Sequence, residues 1–338
     1  MIIHTKSYPR AALIGNPSDG YFGKTIAFVF SNYTTDVQLY ETPELNLLPS
    51  LRDTSTFDSI EHLVDDVKTY GYYGGIRLLK ASIKKFYEYC HNNQLDLNHT
   101  NFTLRYQTTI PNRLGLAGSS AIITACMKAL MRFYNVTIPK HSLANLILSV
   151  EKEELGIPAG LQDRVAQAFE IPVHMDFEKE YMKEYGYGCY KEIDLSPIPN
   201  LYVAFRTDLA EGSEILHSNL RDDYDNGKQE VVNAIQEWRE LTDKAVECIS
   251  NGNSAQLSQL LDRNFDLRCE VSKAVSANNK RMVELARSTG ASAKFTGSGG
   301  AVIGIYKDEQ MFNNLKEVLA KHDIQTIKPE VVDHNSCT

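Results

Sequence analysis

The sequence lacks three patterns that would each point to a distinct class of protein. Its six cysteines never reach the CxxC spacing of a zinc knuckle or a thioredoxin-type pair, so we expect reduced thiols. It has no block of Lys and Arg, and 43 acidic residues outnumber 35 basic ones. This balance argues against nucleic-acid binding, which depends on neutralising phosphates. No apolar run approaches the roughly 20 residues of a membrane-spanning helix. We therefore expect a cytoplasmic protein with no nucleic-acid, membrane or obligate protein partner.

Several catalytic signatures are also absent. No two histidines stand at the i, i+4 spacing of an HExxH zinc motif. Residues 20–25 end like a Walker A loop, but Ser18 stands where that motif needs glycine. Residues 297–300 lack the third glycine of a dinucleotide-binding loop, and Thr296 replaces the first glycine of a nucleophile elbow. A protein metal site is therefore expected to be oxygen-based and to hold Mg²⁺ through a nucleotide.

The length and the hydrophobic patterning indicate two α+β domains. At about 150 residues per domain, 338 residues suggest two, and strands mix with helices in both halves. The predicted strands are residues 11–15, 25–30, 102–110 and 301–306, and the predicted helices are 73–90, 119–133, 142–154, 229–249, 255–275 and 279–289. After about residue 190 the chain consists mainly of predicted helical segments, so we place a domain boundary near Tyr185. It divides the chain into an N-terminal domain of residues 1–185 and a C-terminal domain of residues 186–338. The helices of the second half are interpreted as structural.

A glycine-serine loop at residues 110–121 lies between a predicted strand and a predicted helix. Gly115 and Gly118 allow a tight turn that points backbone N–H groups toward an anion. Ser119 and Ser120 then begin a helix whose N-terminus favours phosphate. The loop is therefore interpreted as a phosphate cradle, with a serine N-cap after a glycine turn as the alternative.

Three glycine-containing motifs together resemble the GHMP kinases, a family named for galactokinase, homoserine, mevalonate and phosphomevalonate kinases. The motifs are residues 10–19, residues 111–121 and residues 294–300, in the family's order. The resemblance implies a ribosomal-protein-S5-like N-terminal domain that binds ATP, followed by a ferredoxin-like C-terminal domain. It also implies ATP and Mg²⁺ as cofactors.

Within this family the chain is most similar to the plant glucuronokinase group. The similar segments are residues 15–19, 21–23, 71–75, 118–121, 160–167, 174–177 and 294–302. The similarity implies phosphorylation of the anomeric hydroxyl of D-glucuronate by ATP, giving glucuronate 1-phosphate and ADP for UDP-glucuronate salvage. Two departures from the wider family are an extra residue in the Gly-Leu-Ala-Gly-Ser-Ser loop and Asn16-Pro17 in place of the Glu-His of galactokinases, which argues against galactose. Other acceptors, such as galacturonate, a heptose or mevalonate, and a non-catalytic sensor remain as alternatives.

The resemblance implies two catalytic residues. Asp163 resembles the aspartate that acts as general base toward the attacking hydroxyl, a role that a well-placed carboxylate can fill in phosphoryl transfer. Its structural alternative is an Asp paired with adjacent Arg164. Arg10 resembles the electrostatic partner of that aspartate and of the transferring phosphoryl group. The alternative for Arg10 is an exposed arginine before a strand.

Glu151 and Ser120 are the implied ligands of Mg²⁺. Glu151 stands twelve residues before Asp163, which is the spacing of the metal-binding glutamate in galactokinases. Two protein oxygens together with phosphates and waters suit Mg²⁺, which rarely takes an all-protein cage. Glu153 and Glu154 are rivals for the role of Glu151.

The remaining site residues follow from their positions in the three motifs and in the segment around Asp163. The predicted nucleotide-binding residues are Pro111, Arg113, Gly115, Leu116, Ala117, Gly118, Ser119 and Ser120. The predicted substrate-binding residues are Asn16, Asp19, Tyr21, Gly160, Arg164, Thr296 and Gly297. Ordinary turn chemistry is the alternative for the ligands of the first and third motifs. A uronate carboxylate also needs a cation, ideally a bidentate arginine, and the unranked candidates are Arg164, Arg113 and Lys24.

Overall fold

The computed structural model of the chain describes residues 2–50, 53, 58–60, 74–112, 114–206, 214–272 and 275–333, without the side chains of residues 214–219. Within these residues the strands are β1 (Ile2–Ser7), β2 (Arg10–Ile14), β3 (Lys24–Val29), β4 (Thr35–Glu41), β5 (Asn46–Leu48), β6 (Phe102–Thr108), β7 (Val173–Asp176), β8 (Cys189–Glu192), β9 (Leu201–Arg206), β10 (Lys294–Phe295), β11 (Ala301–Ile305) and β12 (Ile324–Ile327). The α-helices are α1 (Ile76–Asn92), α2 (Gly118–Phe133), α3 (Lys140–Ser149), α4 (Leu161–Phe169), α5 (Lys179–Tyr185), α6 (Glu214–Asp225), α7 (Gln229–Ser250), α8 (Ser254–Val271), α9 (Ala277–Arg287) and α10 (Glu309–Ala320). In this described part of the chain, no helix combines the length and the apolarity needed to cross a bilayer.

The first of two compact units comprises residues 1–9, 33–112 and 117–168. Its four-stranded sheet has the order β1–β4–β6–β5, in which only β5 runs parallel to its neighbour. Helix α2 packs on β1 and β4 and against α1. Because α2 is apolar around most of its circumference, it is buried on nearly every side. The N-terminus of this buried helix carries the glycine-serine loop.

Glu151 lies in an irregular turn of the first unit. Helix α3 continues into a π-helical turn, Val150–Glu154, where the sequence predicts ordinary helix up to residue 154. Such turns recur at functional sites, because the wider spacing re-aims the side chains that they carry. Here the turn buries Glu151 and leaves Lys152 and Glu153 exposed.

The second unit comprises residues 10–32, 113–116 and 169–338. It contains two antiparallel four-stranded sheets, one in the order β2–β3–β7–β8 and the other in the order β10–β11–β9–β12. Helices α7 and α8 pack together, and α8 also contacts β2, β10 and β11. The indole N–H of the fully buried Trp238 on α7 donates to the backbone oxygen of Asn264 on α8, at 3.2 Å. The pair of helices thus fixes α8 against the strands that carry the first and third motifs.

The predicted α+β class is confirmed, and most predicted elements match within a few residues. The predicted helix 229–249 matches α7 to within one residue, and the predicted helix 279–289 is shifted by two residues toward the C-terminus relative to α9. Helix α8 ends at Val271 rather than residue 275, because Ser272 is extended. Residue 73, the predicted start of α1, lies outside the described residues. The two compact units interleave along the chain, and the linear division at Tyr185 stays a prediction.

Candidate active site

The predicted site residues fall into two groups, one in each compact unit. The first unit holds Pro111, Ala117, Gly118, Ser119, Ser120, Glu151, Gly160, Asp163 and Arg164. The second holds Arg10, Asn16, Asp19, Tyr21, Gly115, Leu116, Thr296 and Gly297. Arg113 lies outside the described residues.

In the first unit, the N-terminus of α2 has the geometry of an anion site. Ala117 occupies the N-cap position in a left-handed conformation, with φ 61° and ψ 41°, and no side chain of the described residues caps the helix. The first backbone N–H groups of a helix have no partner within the helix, and its dipole favours negative charge. The alternative of a serine N-cap is wrong, because Ser119 and Ser120 lie inside the first turn. The buried Ser120 hydroxyl donates to the Ala117 carbonyl at 3.1 Å.

Gln167 supports this loop, and the sequence analysis missed it. Its Nε2 donates to the carbonyls of Ala117 and Tyr8, both at 2.9 Å. The side chain is fully buried, and its Oε1 has no hydrogen-bond partner among the described residues. Holding the carbonyl of a left-handed residue fixes the direction in which the next N–H groups point. Gln167 is therefore a positioning residue for the loop.

Arg164 joins the predicted base Asp163 and the predicted metal ligand Glu151 in the first unit. Its Nε donates to Glu151 Oε2 at 2.7 Å, and its Nη2 contacts the same oxygen. Its Nη1 lies 3.2 Å from Asp163 Oδ2 and also donates to the carbonyl of Gly160 at 3.0 Å. The side chains of Arg164 and Glu151 are 7% and 2% exposed, whereas that of Asp163 is 19% exposed. Asp163 is thus the accessible carboxylate of a buried network, in the first turn of α4 where the helix dipole favours negative charge.

The two rivals of Glu151 have ordinary surface partners. Glu153 Oε2 lies 3.1 Å from Lys85 Nζ, and Glu154 Oε2 lies 2.6 Å from Lys84 Nζ. Exposed pairs of this kind contribute little to stability and are typical of a solvated helix surface. Of the three glutamates, Glu151 alone is enclosed with the aspartate of the predicted site.

In the second unit, Arg10 binds two loops at once. Its Nη1 donates to the carbonyl of Gly115 at 3.1 Å and to that of Thr296, and its backbone N–H donates to the Leu116 carbonyl at 3.1 Å. Arg10 is buried, so the alternative of an exposed arginine before a strand is wrong. The first motif therefore holds part of the glycine-serine loop against the third motif.

Two glycines make this close approach possible. A Cβ at Gly297 would lie 2.6 Å from the Gly115 carbonyl oxygen. A Cβ at Gly115 would lie 2.6 Å from the Gly299 carbonyl oxygen, and Gly115 also has a φ of 65°, which other residues rarely adopt. Larger residues at positions 115 and 297 would separate the two loops.

Lys294 and Asn16 join the first and third motifs. The buried Lys294 ammonium donates to the Asn16 side-chain oxygen at 2.5 Å, to the Phe295 carbonyl at 2.7 Å and to the Ala12 carbonyl at 2.9 Å. The Asn16 amide in turn donates to the carbonyls of Phe295 and Gly297, at 3.3 and 3.4 Å. Asn16 is therefore held by the third motif.

Helix α8 reaches the same two motifs, although the sequence analysis assigned it no site residue. The Asn264 side chain accepts a hydrogen bond from the backbone N–H of Gly15, at 2.7 Å, and donates to the Asn16 carbonyl at 3.0 Å. Four residues further on, Arg268 donates to the carbonyls of residues 297 and 298 at 2.8 and 3.3 Å. Their i, i+4 spacing places both side chains on one helix face. Only the packing of α8 reveals this role, since polar residues at this spacing also occur on solvated helices.

Asp19 and Tyr21 lie in a short 3₁₀ helix, Ser18–Tyr21. Tyr21 is buried, and this burial together with the charge of Asp19 raises the pKa of its hydroxyl to about 12. At neutral pH the hydroxyl is therefore protonated and can donate a hydrogen bond. A carboxylate beside a phenol offers one acceptor and one donor, a combination suited to the hydroxyls of a sugar.

Two of the three candidate cations for a substrate carboxylate already have carboxylate partners. Lys24 lies 2.9 Å from Asp243 and 3.5 Å from Asp176, while Arg164 contacts Glu151 and Asp163. The third candidate, Arg113, is the one outside the described residues.

The comparisons with known proteins agree with the three motifs. A model of the GHMP kinase N-terminal domain matches residues 77–170, and a model of the C-terminal domain matches residues 245–325. The chain is 40% identical over 306 residues to glucuronokinase 1 of Arabidopsis thaliana, covering 89% of this chain and 84% of that protein. It is 41% identical over 308 residues to probable glucuronokinase 2 of the same plant, with the same coverage. The structure of Streptococcus pneumoniae phosphomevalonate kinase aligns with 98% of this chain and 100% of its own, with a TM-score of 0.74 at 16% identity.

The chain belongs to the GHMP kinase family. The predicted family and its two-domain fold of mixed helices and sheets are confirmed. The protein is accordingly an enzyme that transfers a phosphoryl group to an alcohol, and ATP is the phosphate donor in this family.

Proposed function

We propose that the protein is a glucuronokinase, which phosphorylates the anomeric hydroxyl of D-glucuronate with ATP and Mg²⁺. The products are glucuronate 1-phosphate and ADP. The observation that carries the chemistry is the Arg164 network, which presents the Asp163 carboxylate at the start of α4. The identity of 40% and 41% to two plant glucuronokinases supports glucuronate as the acceptor.

Asp163 acts as the general base. Arg164 holds its Oδ2, which fixes the orientation of the carboxylate that accepts the proton of the attacking hydroxyl. In phosphoryl transfer the protein mainly positions the reacting groups and stabilises the charge of the transition state. Arg10 contributes a second cation, which stabilises negative charge on the transferring group.

The glycine-serine loop binds the triphosphate. The open N-terminus of α2 offers its first N–H groups to phosphate oxygens, and Gln167 keeps the loop in position. Ser120 and Glu151 supply a hydroxyl and a carboxylate, the hard oxygen ligands that Mg²⁺ prefers, and both are buried. When bound, Mg²⁺ neutralises phosphate charge that the loop alone does not balance. Pro111, Arg113, Gly115 and Leu116 complete the nucleotide-binding residues of this proposal.

The acceptor ligands of this proposal are Asn16, Asp19, Tyr21, Gly160, Arg164, Thr296 and Gly297. Asp19 accepts hydrogen bonds from sugar hydroxyls, and the protonated Tyr21 donates one. We place the reaction in the cytoplasm, in line with the expectation from the sequence.

Phosphorus NMR of the purified protein with ATP and Mg²⁺ tests this function, with D-glucuronate in one tube and D-galacturonate in another. We expect a new anomeric sugar-phosphate signal with glucuronate alone. A signal with galacturonate alone would assign a different acceptor. No signal in either tube, with ATP binding intact, would contradict the function and favour another acceptor class or a non-catalytic sensor.

A further inference from the structure

Arg268 differs from the other cations around the predicted acceptor residues, because no carboxylate of the described residues forms a hydrogen bond or an ion pair with it. It is 4% exposed, and its polar partners in the described part of the chain are two backbone carbonyls, those of residues 297 and 298. Its guanidinium carbon also lies 5.2 Å from the centre of the Phe295 ring. A buried charge is costly unless an opposite charge or strong hydrogen bonds compensate for it.

The guanidinium of Arg268 retains donors for a ligand. An arginine carries five N–H donors in a planar fork, and the two carbonyls use two of them. Stacking on Phe295 fixes the plane of the fork, so the remaining donors have a defined direction. A carboxylate can accept two parallel hydrogen bonds from such a fork.

Arg268 is also placed among the predicted acceptor ligands of the second unit. It binds Gly297 directly, and the charge of Asp19 acts on it. Burial lowers the pKa of its guanidinium to about 10, so it remains charged at neutral pH. Asp19 would repel a substrate carboxylate, whereas Arg268 would attract one. The two side chains therefore suit different ends of a sugar acid.

A second arginine near Tyr21 fits this role less well. Arg221 lies 6.0 Å from the Tyr21 ring centre, but its side chain is exposed and bonds Asp225 at 2.8 Å. A solvated and already paired arginine discriminates weakly between a charged and a neutral ligand.

We propose that Arg268 binds the carboxylate of the uronate acceptor and thereby selects a sugar acid over the corresponding neutral sugar derivative. This proposal rests on the proposed function and adds the specificity-determining residue of the acceptor site. It makes α8, through one helix face that carries Asn264 and Arg268, a part of the substrate site.

The test compares D-glucuronate with D-glucuronamide, which keeps the ring and the anomeric hydroxyl but has no charge. Steady-state ADP release is measured for the wild type and for Arg268→Met. Loss of hydrogen bonds to a charged group is expected to raise the KM for glucuronate about 10- to 100-fold. The KM for glucuronamide should rise much less than the KM for glucuronate, and thermal unfolding shows that the variant is folded. The preference for the acid should therefore disappear.

Lysine variants separate charge from geometry. Arg268→Lys keeps the charge but loses the planar fork, so we expect an intermediate KM for glucuronate. Arg287→Lys is the matched control, because Arg287 also stacks on a phenyl ring, that of Phe265, but pairs with Asp262 and Asp266. This control should keep the wild-type preference for glucuronate.

The outcomes distinguish this inference from the function on which it rests. If the wild type phosphorylates glucuronate and Arg268→Met retains the wild-type preference for it over glucuronamide, the role of Arg268 is wrong and the function stands. If the wild type phosphorylates no uronate, the proposed function fails and the inference fails with it.

Discussion

Arg164 and Arg268 are both buried arginines to which the proposals assign a role, and they differ in what balances their charge. Arg164, in the first compact unit, contacts the carboxylates of Glu151 and Asp163. Arg268, in the second unit, has two carbonyls and an aromatic ring. The first arginine is neutralised by carboxylates in direct contact with it, whereas the second is buried without a directly bonded carboxylate among the described residues.

This difference separates a positioning role from a binding role. A guanidinium with two carboxylate partners is held in one orientation and in turn holds Asp163 toward its reaction. A guanidinium with only carbonyl partners gains most when an anion arrives, because its buried charge then acquires a compensating partner. In the proposed function, phosphoryl transfer therefore depends on Arg164, and selection of the acceptor depends on Arg268.

Asp163→Asn gives the largest expected effect, because it removes the reactive carboxylate from the Arg164 network. An amide cannot accept the proton of the acceptor hydroxyl, so we expect kcat to fall about 100- to 10,000-fold. The affinity for ATP, measured by calorimetry, should not change. The matched control is Asp223→Asn, which removes an exposed carboxylate paired with Lys228 and should keep wild-type turnover. Retention of kcat in Asp163→Asn would exclude Asp163 as the base.

The two arginines should also differ in their contribution to stability. Arg164→Met leaves the buried Glu151 carboxylate without its cation, a change that typically costs about 3–5 kcal/mol. Arg268→Met leaves two carbonyls short of a donor but strands no charge, so we expect a loss of about 1–3 kcal/mol. Urea unfolding without ligands measures both. Equal losses would mean that Arg268 has a carboxylate partner in solution and would remove the contrast between the two sites.

The site residues that the sequence predicts lie in short motifs, which can be recognised from neighbouring residues alone. A glycine turn followed by serines at the start of a helix is recognisable at residues 115–120, because the loop geometry follows from neighbouring residues. Asp163 is recognisable within its own short segment, residues 160–167. The roles of Gln167 and Arg268 depend instead on contacts with residues far along the chain. Neither the period nor the composition of a helix carries that information.

Strands β1 and β4 are among the elements that the sequence analysis did not predict, for two different reasons. Strand β1 buries Ile3, Thr5 and Ser7, and the two polar residues hide the alternation that identifies a half-buried strand. Strand β4 does alternate, with Val37 and Leu39 buried between more exposed residues, so its signal was present and was missed.

The smallest expected effect concerns Lys294, whose environment includes Arg268. Burial, reinforced by the charges of Arg268 and Arg10, lowers the pKa of the Lys294 ammonium well below 10.5 in the folded protein. Between that lowered value and 10.5 the unfolded chain binds more protons than the folded protein, so the free energy of unfolding rises with pH. One group contributes at most about 1.4 kcal/mol per pH unit.

Arg268→Met removes one of the two cations, which raises the pKa of Lys294 and weakens the rise of the free energy of unfolding with pH. Urea unfolding at a series of alkaline pH values below 10 measures the slope, with the exposed Lys316→Met as the control that should keep it. An equal slope in the wild type and in Arg268→Met would show that the charge of Arg268 does not act on Lys294, and would weaken the case for an uncompensated cation at this site.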